Sequence, residues 1–243
     1  MEMLSGTKIA DAALTDWRKL AQGLHARYRV RDFGAAARFV AAIGDAGDAL
    51  GRHPIVAIGP GYVDLKLISD DAVYRESAEV EHVVSWVTQL DLDAAARITE
   101  LARELGLDAD PGAVSVMELG LDTTRSAVIA PVWAALLTGD PASQGHGSPS
   151  DEIRDASGRV PNLWFGDAAE TADAARSADA AAQQRFHVEV YVAAEVAPER
   201  IAAALAAGGT VVDDSQAPAL TVIADQDGNR AVVCVDTSAV TEA

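Results

Sequence analysis

The residues best suited to acid–base chemistry lie in two short stretches, 48–54 and 67–71. The first is predicted to be a helix end that delivers Asp48 and His53, and the second a strand end that delivers Asp70 and Asp71. A histidine beside carboxylates can act as a general acid or base when these groups reach one substrate. Spacing alone leaves an alternative open, in which a surface loop carries a solvated histidine and scattered acids.

Helices and short strands are predicted around these stretches. The apolar spacing predicts three helices that begin near Thr15, Asp32 and Asp91. Their apolar faces comprise Trp17, Leu20, Ala21 and Leu24; Phe33, Ala36, Ala37, Val40, Ile43 and Gly47; and Leu92, Ala95, Ile98, Leu101, Ala102 and Leu105. Alternating apolar residues predict strands around 28–30 and 63–67. The order α, β, α, β, β, α predicts an α+β fold, with helices packed on a small sheet.

The second half of the chain contains two similar series of elements. Strands at 116–121, 152–155 and 162–165 with a helix at 126–137 form the first series; a strand at 186–192, a helix at 198–207 and strands at 210–213, 220–224 and 231–235 form the second. The segments 138–150 and 167–184 are predicted to be loops. Gly106 and the turn Pro111-Gly112 predict a boundary between domains 1–109 and 113–243.

Charge and composition exclude several classes of partner. The 243 residues carry a net charge of −18, with 12 basic against 18 acidic side chains in residues 1–112 and 7 against 19 in the rest. This balance argues against nucleic acid and against anionic membrane surfaces. No apolar run reaches the roughly 20 residues of a membrane span. The single cysteine, Cys234, excludes an internal disulfide, and we expect a cytoplasmic protein.

Residues 4–107 carry the features of one known family. The matching stretches are Trp17, Arg31-Asp32-Phe33 with Phe39-Val40, Asp48-x3-Arg52-His53-Pro54, and Val63-Asp64-Leu65-Lys66-Leu67. In these stretches the chain resembles the pterin-4a-carbinolamine dehydratases. The resemblance implies helices over an antiparallel four-stranded sheet. It also implies an enzyme that removes water from a 4a-hydroxytetrahydropterin, with histidines as acid and base and without a metal or other cofactor.

The chain departs from the family pattern at its histidines. Arg52 replaces the first histidine of the family pair, His53 retains the second, and Asp70 replaces the strand-end histidine, with Asp71 at the acidic position. A guanidinium does not deprotonate, so Arg52 cannot act as a base. An aspartate is ordinarily ionised at neutral pH, so Asp70 is a poor proton donor unless burial changes this. We expect His53, Asp70 and Asp71 to be catalytic.

The altered pocket is compatible with a divergent enzyme or with a protein that binds a ligand without catalysis. Asp48, Arg52 and Pro54 are expected to contact a pterin-like or other cyclic small molecule. The dehydration is then weakened, lost or redirected to another lyase or cyclase reaction on an intact pocket. The alternative is a non-catalytic ligand-binding or dimerising scaffold protein. Residues 72–88 form an insertion relative to the family, and its His82 either replaces a lost histidine or lies on a solvated helix face.

The two similar series of elements in residues 114–236 resemble the glyoxalase-like branch of the vicinal oxygen chelate superfamily. The supporting stretches are 132–137, 185–190, 201–212 and 223–229, the last with the turn Asp225-Gln226-Asp227-Gly228-Asn229. Superposing the two series places Glu118 opposite His187. Metal-dependent members of the superfamily bind a divalent ion through the first and last strands of each series.

The last strands of both series lack the ligands that such an ion needs. Residues 163–165 and 231–234 contain no His, Asp, Glu or Gln, whereas a stable site generally needs three or four protein ligands. We therefore expect no metal. The sequence predicts an apolar, aromatic-lined cavity in which Glu118, His187 and Trp164 contact a small organic ligand. Both resemblances imply a homodimer.

Overall fold

The computed structural model describes residues 1–77, 79–123, 152–153, 161–167, 186–206, 209–224 and 230–238. Two compact units make up the chain: Met1–Ser115 with Val192–Val196 and Asp236–Ala243, and Val116–Tyr191 with Ala197–Val235. The predicted helix 126–137 and, apart from Asp167, the predicted loops 138–150 and 167–184 lie outside the described residues. Among the described helices, none combines the length and apolarity that crossing a membrane requires.

The first unit consists of helices on one main sheet, with an additional hairpin. Its elements are α1 (Gly6–Asp11), β1 (Arg18–Leu20), β2 (Gly23–Arg29), α2 (Phe33–Leu50), β3 (Ile55–Gly59), β4 (Tyr62–Leu67), β5 (Ser69–Arg75), β6 (Glu81–Trp86), α3 (Gln89–Glu104), β7 (Asp108–Ala109) and a 3₁₀ turn at Pro111–Ala113. The main sheet has the order β1-β2-β4-β3, with β7 also paired to β2. Its strand pairs are antiparallel, so the predicted α+β class is confirmed.

Helix α2 begins where the sequence predicts. The Asp32 carboxylate accepts a hydrogen bond from the Ala35 amide at 2.7 Å, which caps the helix. The helix ends at Gly51, whose φ of 67° favours glycine. Phe39 is fully buried, and its ring meets Tyr28 edge-on at 5.2 Å. Phe33 was predicted to lie on the buried face, but 73% of it is exposed, because it starts the first turn outside the packed stripe.

Helix α3 begins at a capping box. The Thr88 amide donates to the Asp91 carboxylate at 2.8 Å, and the Thr88 hydroxyl donates to the same oxygen at 2.9 Å. The predicted start at Asp91 is therefore three residues late, since Asp91 occupies the third helical position of the box. Leu105, predicted on the apolar face, is exposed beyond the helix end.

The predicted helix from Thr15 is wrong. Residues 18–29 instead form the antiparallel pair β1 and β2, joined at Ala21, which has a φ of 47°. Leu24 and Tyr28 are buried on the same face of β2, and Leu24 pairs with Leu67 of β4. These apolar residues satisfy helical spacing as well as strand alternation, and the pairing with β4 decides for the strand.

Residues 72–88, which the family resemblance predicts to be an insertion, lie largely in an antiparallel hairpin of β5 and β6, with a register shift between Ser69 and Ala72. His82 lies on β6, so the prediction of a helix face is wrong. Its Nε2 is 2.9 Å from Glu76 Oε2, and its ring stacks on Tyr74. This hairpin holds His82 in a histidine–carboxylate pair of its own.

The second unit contains a seven-stranded sheet. Its elements are β8 (Ser115–Thr123), β9 (Glu152–Ile153), β10 (Leu163–Asp167), β11 (Phe186–Val192), α4 (Ala197–Ala206), β12 (Thr210–Asp213), β13 (Leu220–Ala224) and β14 (Arg230–Cys234). The strand order is β12-β13-β14-β11-β8-β10-β9. The first strand of each series, β8 or β11, is paired in parallel with the last, β10 or β14. The two similar series of elements predicted from the sequence therefore appear as two similar strand sets that meet at β8 and β11.

Candidate functional site

The end of α2 places a histidine beside a carboxylate. His53 Nε2 lies 2.9 Å from Asp48 Oδ1, and 54% of the His53 side chain is exposed. The imidazole lies against Gly47, where an added Cβ would be 2.5 Å from His53 Cδ2. Asp48 therefore orients a solvent-accessible imidazole, and a side chain at position 47 would displace it. Pro54 follows, half-buried, immediately before β3.

Arg52 points to a carboxylate that sequence reasoning did not assign to the site. Its Nε lies 3.5 Å from Oδ1 of the fully buried Asp91, and a second guanidinium nitrogen lies 3.9 Å from Asp71 Oδ1. Neither Arg52 Nε nor Asp91 Oδ1 has a hydrogen-bond partner among the described residues, so their contact is an ion pair without hydrogen-bond geometry. Arg52 thus stands between one buried and one exposed carboxylate.

The other Asp91 oxygen is fully engaged. Asp91 Oδ2 accepts hydrogen bonds from the Ser69 hydroxyl at 2.6 Å, the Thr88 amide at 2.8 Å and the Thr88 hydroxyl at 2.9 Å. This network joins the start of β5 to the start of α3 and holds the Asp91 carboxylate in position. The spacing Thr88-x-x-Asp91 is a capping-box signal, but nothing in it indicates that the carboxylate also reaches Arg52.

The two aspartates at the strand end, Asp70 and Asp71, contact different partners. Asp70 accepts a hydrogen bond from the Ser85 hydroxyl at 2.9 Å across the β5–β6 hairpin. Asp71 is largely exposed and is the carboxylate near Arg52. Both residues lie in the irregular stretch between Ser69 and Ala72, where both are exposed, and it is their partners that differ. Of these two predicted catalytic residues, the structure brings Asp71 to Arg52 and pairs Asp70 with Ser85.

In the second unit, Glu118 and His187 lie on neighbouring strands but have different partners. Glu118 is 4% exposed, and its Oε1 accepts a hydrogen bond from the Asn162 side-chain amide at 3.1 Å. The His187 ring meets Trp164 edge-on, with centroids 4.9 Å apart. His187 covers Gly120, where a Cβ would be 2.3 Å from its Cε1. The predicted ligand residues therefore share one sheet region, with His187 beside Trp164 and Glu118 beside Asn162.

Two further polar residues on β11 were missed by sequence reasoning. The Tyr191 hydroxyl donates to Glu189 Oε2 at 3.1 Å, and Glu189 Oε1 lies 3.7 Å from His187 Nε2. Burial, followed by the charges of Glu189 and Glu118, raises the pKa of Tyr191 and raises the pKa of Cys234 to about 12. The alternation of residues 187, 189 and 191 was the available signal, because such residues share one strand face.

The first unit also contains a cavity of about 560 Å³ that is open to solvent and is lined by apolar side chains of α1, by Trp17 and by Leu24. Arg18 and Glu195 form an ion pair in its wall. His53, Arg52 and the strand-end aspartates do not line it. The cavity is therefore separate from the candidate acid–base site.

The fold defines a fusion of an α+β unit, which carries the candidate site at the end of α2, with a unit built on a seven-stranded sheet. Residues 2–101 match the family model of pterin 4 alpha carbinolamine dehydratase, and residues 118–234 match the model of a glyoxalase-like domain. A protein of Koribacter versatilis (strain Ellin345), named as a candidate pterin-4-alpha-carbinolamine dehydratase, is 30% identical over 89 residues, which span 37% of this chain and 82% of the relative. The chain belongs to the pterin-4a-carbinolamine dehydratase family, and a glyoxalase-like domain follows the matched region. Both resemblances identified in the sequence are confirmed.

Several solved structures also match this chain. The crystal structure of a transcriptional coactivator/pterin dehydratase from Brucella melitensis shares 23% sequence identity with this chain. The alignment covers 42% of this chain and 99% of that chain, with a TM-score of 0.34.

Proposed function

We propose that the first unit is a divergent, metal-free hydro-lyase that removes water from a pterin-like carbinolamine with a single histidine. The observation that carries this proposal is the contact of His53 Nε2 with Asp48 Oδ1 at 2.9 Å on an accessible imidazole. Because Asp48 holds Nε2, Nδ1 is the nitrogen left to exchange a proton with a substrate. Family membership supports the substrate class.

The elimination needs two proton transfers. The His53 imidazolium protonates the leaving hydroxyl, and the C–O bond breaks to release water. The ring N–H of the resulting cation then returns its proton to His53, whose imidazole is neutral after the first transfer. The net change is loss of one water, and the histidine ends in its starting state.

Arg52 changes the energetics of this pocket. A guanidinium at the position of a family histidine keeps its charge and transfers no proton. The ion pair with Asp91 holds the Arg52 guanidinium just after the end of α2 and close to Asp71 of β5. Because general acid–base groups contribute roughly 10²–10⁴-fold each, we expect a rate above the spontaneous dehydration but well below that of a site with a full histidine set.

A stopped-flow assay with the 4a-carbinolamine generated in situ tests this function. We expect the full-length protein to accelerate dehydration and His53→Gln to return the rate to the spontaneous value. His82→Gln is a matched control, because His82 is also paired with a carboxylate at 2.9 Å. Arg52→His should raise the rate by roughly tenfold or more if a missing histidine limits the reaction. Equal rates for the parent protein and His53→Gln would refute the proposal.

A second function is favoured by the Arg52–Asp91 contact. A cation held by a buried carboxylate suits a pocket that binds a ligand without turning it over. In that case the protein would bind pterin in a calorimetric titration while dehydration proceeds at its spontaneous rate. The titration with pterin and the dehydration assay together therefore distinguish the two functions.

We also infer a homodimer. Strand β3 is at the edge of the main sheet, and Ile55 and Ile58 on it are exposed, which suits pairing with a second copy. The mass in solution from light scattering tests this, and a monomer at micromolar concentration would contradict it.

A further inference from the structure

The glyoxalase-like family implies a divalent metal on the sheet of the second unit, and the residues present do not fit one. Among the described residues, no group of three or more His, Cys, Asp and Glu side chains could hold an ion. Glu118 accepts an amide hydrogen bond from Asn162, and Trp164 stands across from Gly120 on the neighbouring strand. Trp164 offers no lone pair to a metal. The side chains on this face of the sheet, Glu118, Trp164, His187 and Glu189, therefore suit an organic ligand better than a metal ion.

Glu189 provides the acceptor side of the face. Its described partners are the Tyr191 hydroxyl and, at 3.7 Å, the His187 ring, while no lysine or arginine of the described residues lies within ion-pair distance. Two oxygens of a carboxylate have about four acceptor positions, so capacity remains after these contacts. The side chain is largely but not wholly buried, which strengthens a hydrogen bond and still admits a ligand.

Trp164 provides the donor side. Its indole Nε1 is buried and has no hydrogen-bond partner among the described residues. A buried donor without a partner is unfavourable, so a ligand atom that accepts from it recovers the lost hydrogen bond. The indole meets His187 edge-on, and Glu189 contacts the same imidazole. Glu189 and Trp164 therefore both contact the His187 imidazole.

We propose that the second unit binds a flat, amino-substituted heterocycle without a metal, with the N–H edge of the ligand on Glu189 and a ring acceptor on Trp164 Nε1. The His187 and Trp164 rings form the aromatic wall against which such a ligand packs. Gly120 is required because any side chain there would occupy the space of the His187 ring. This site is independent of the function proposed for the first unit.

Calorimetric titration of the full-length protein with pterin, which carries a 2-amino group, tests the proposal. Lumazine, which carries an oxygen at that position, is the comparison ligand. We expect pterin to bind and lumazine to bind at least roughly tenfold more weakly, because one charge-assisted hydrogen bond is lost. Glu189→Gln and Trp164→Phe should each weaken pterin binding roughly tenfold, whereas Glu199→Gln, an exposed glutamate on α4, should leave it unchanged.

Comparison with His53→Gln shows whether pterin binds at this site or at the candidate site of the first unit. Loss of affinity in His53→Gln alone, with Glu189→Gln and Trp164→Phe unaffected, would overturn the proposal while leaving the function of the first unit standing. Stoichiometric binding of zinc or manganese that Glu118→Gln abolishes would overturn it as well. Thermal melts of each variant exclude unfolding as the cause, and Glu189→Asp should retain more affinity than Glu189→Gln if the charge is what the ligand contacts.

Discussion

His25 makes the stability of the first unit dependent on pH. It lies on β2, between Arg18 of β1 and Lys66 of β4, and its Nε2 is buried without a hydrogen-bond partner among the described residues. Burial, followed by the positive charge of Lys66, lowers the pKa of His25 to about 3. The folded protein therefore keeps this imidazole neutral at pH values where the unfolded chain protonates it.

The sign and size of the effect follow from this difference. Above pH 6.5, the ordinary pKa of histidine, neither state of His25 is protonated and the full stability is present. As the pH falls from 6.5 towards 3, the unfolded state binds a proton that the folded state does not, so stability is lost. Between pH 7.5 and pH 5 the loss is about 2 kcal/mol, which corresponds to roughly 4–8 °C in Tm.

Urea unfolding at these two pH values, followed by tryptophan fluorescence, measures the effect. The His25→Gln variant removes the titrating group, so its stability should differ between the two pH values by about 2 kcal/mol less than that of the parent protein. Val56→Ala, a non-titrating change on β3 of the same sheet, should lower stability at both pH values equally. An unchanged pH dependence in His25→Gln would refute the reasoning.

Three further predictions, made with four substitutions, test the packing and the site. Phe39→Ala should cost about 3–5 kcal/mol of unfolding free energy, whereas Phe33→Ala should cost under about 0.5 kcal/mol, because only Phe39 is buried; equal losses would contradict the assigned face of α2. Asp91→Asn should cost about 3 kcal/mol in a chemical melt by leaving a cation beside a neutral group, and a neutral result would show that the ion pair contributes nothing. Gly120→Ala should cost about 1–3 kcal/mol and displace His187, which the histidine signals in an NMR spectrum report; unshifted signals would refute the close approach.

The parts predicted correctly from the sequence depend on neighbours along the chain. The cap at Asp32 and the alternation of residues 63–67 specify α2 and β4, because capping and strand periodicity are local. The predicted helix from Thr15 was wrong because its true structure depends on a distant part of the chain. Its apolar spacing suits two elements, and the choice between them depends on β4, more than thirty residues away in the sequence.

The amino-acid sequence alone determined the two family resemblances and the α+β class, and it predicts that two family histidines are replaced. The tertiary structure decided which carboxylates meet which partners. Asp91 reaches Arg52 because α3 packs beside the end of α2, and Trp164 stands opposite Gly120 because β10 pairs with β8 in parallel register. Residue types and local spacing are properties of the chain, whereas these contacts require the distances between elements that only packing sets.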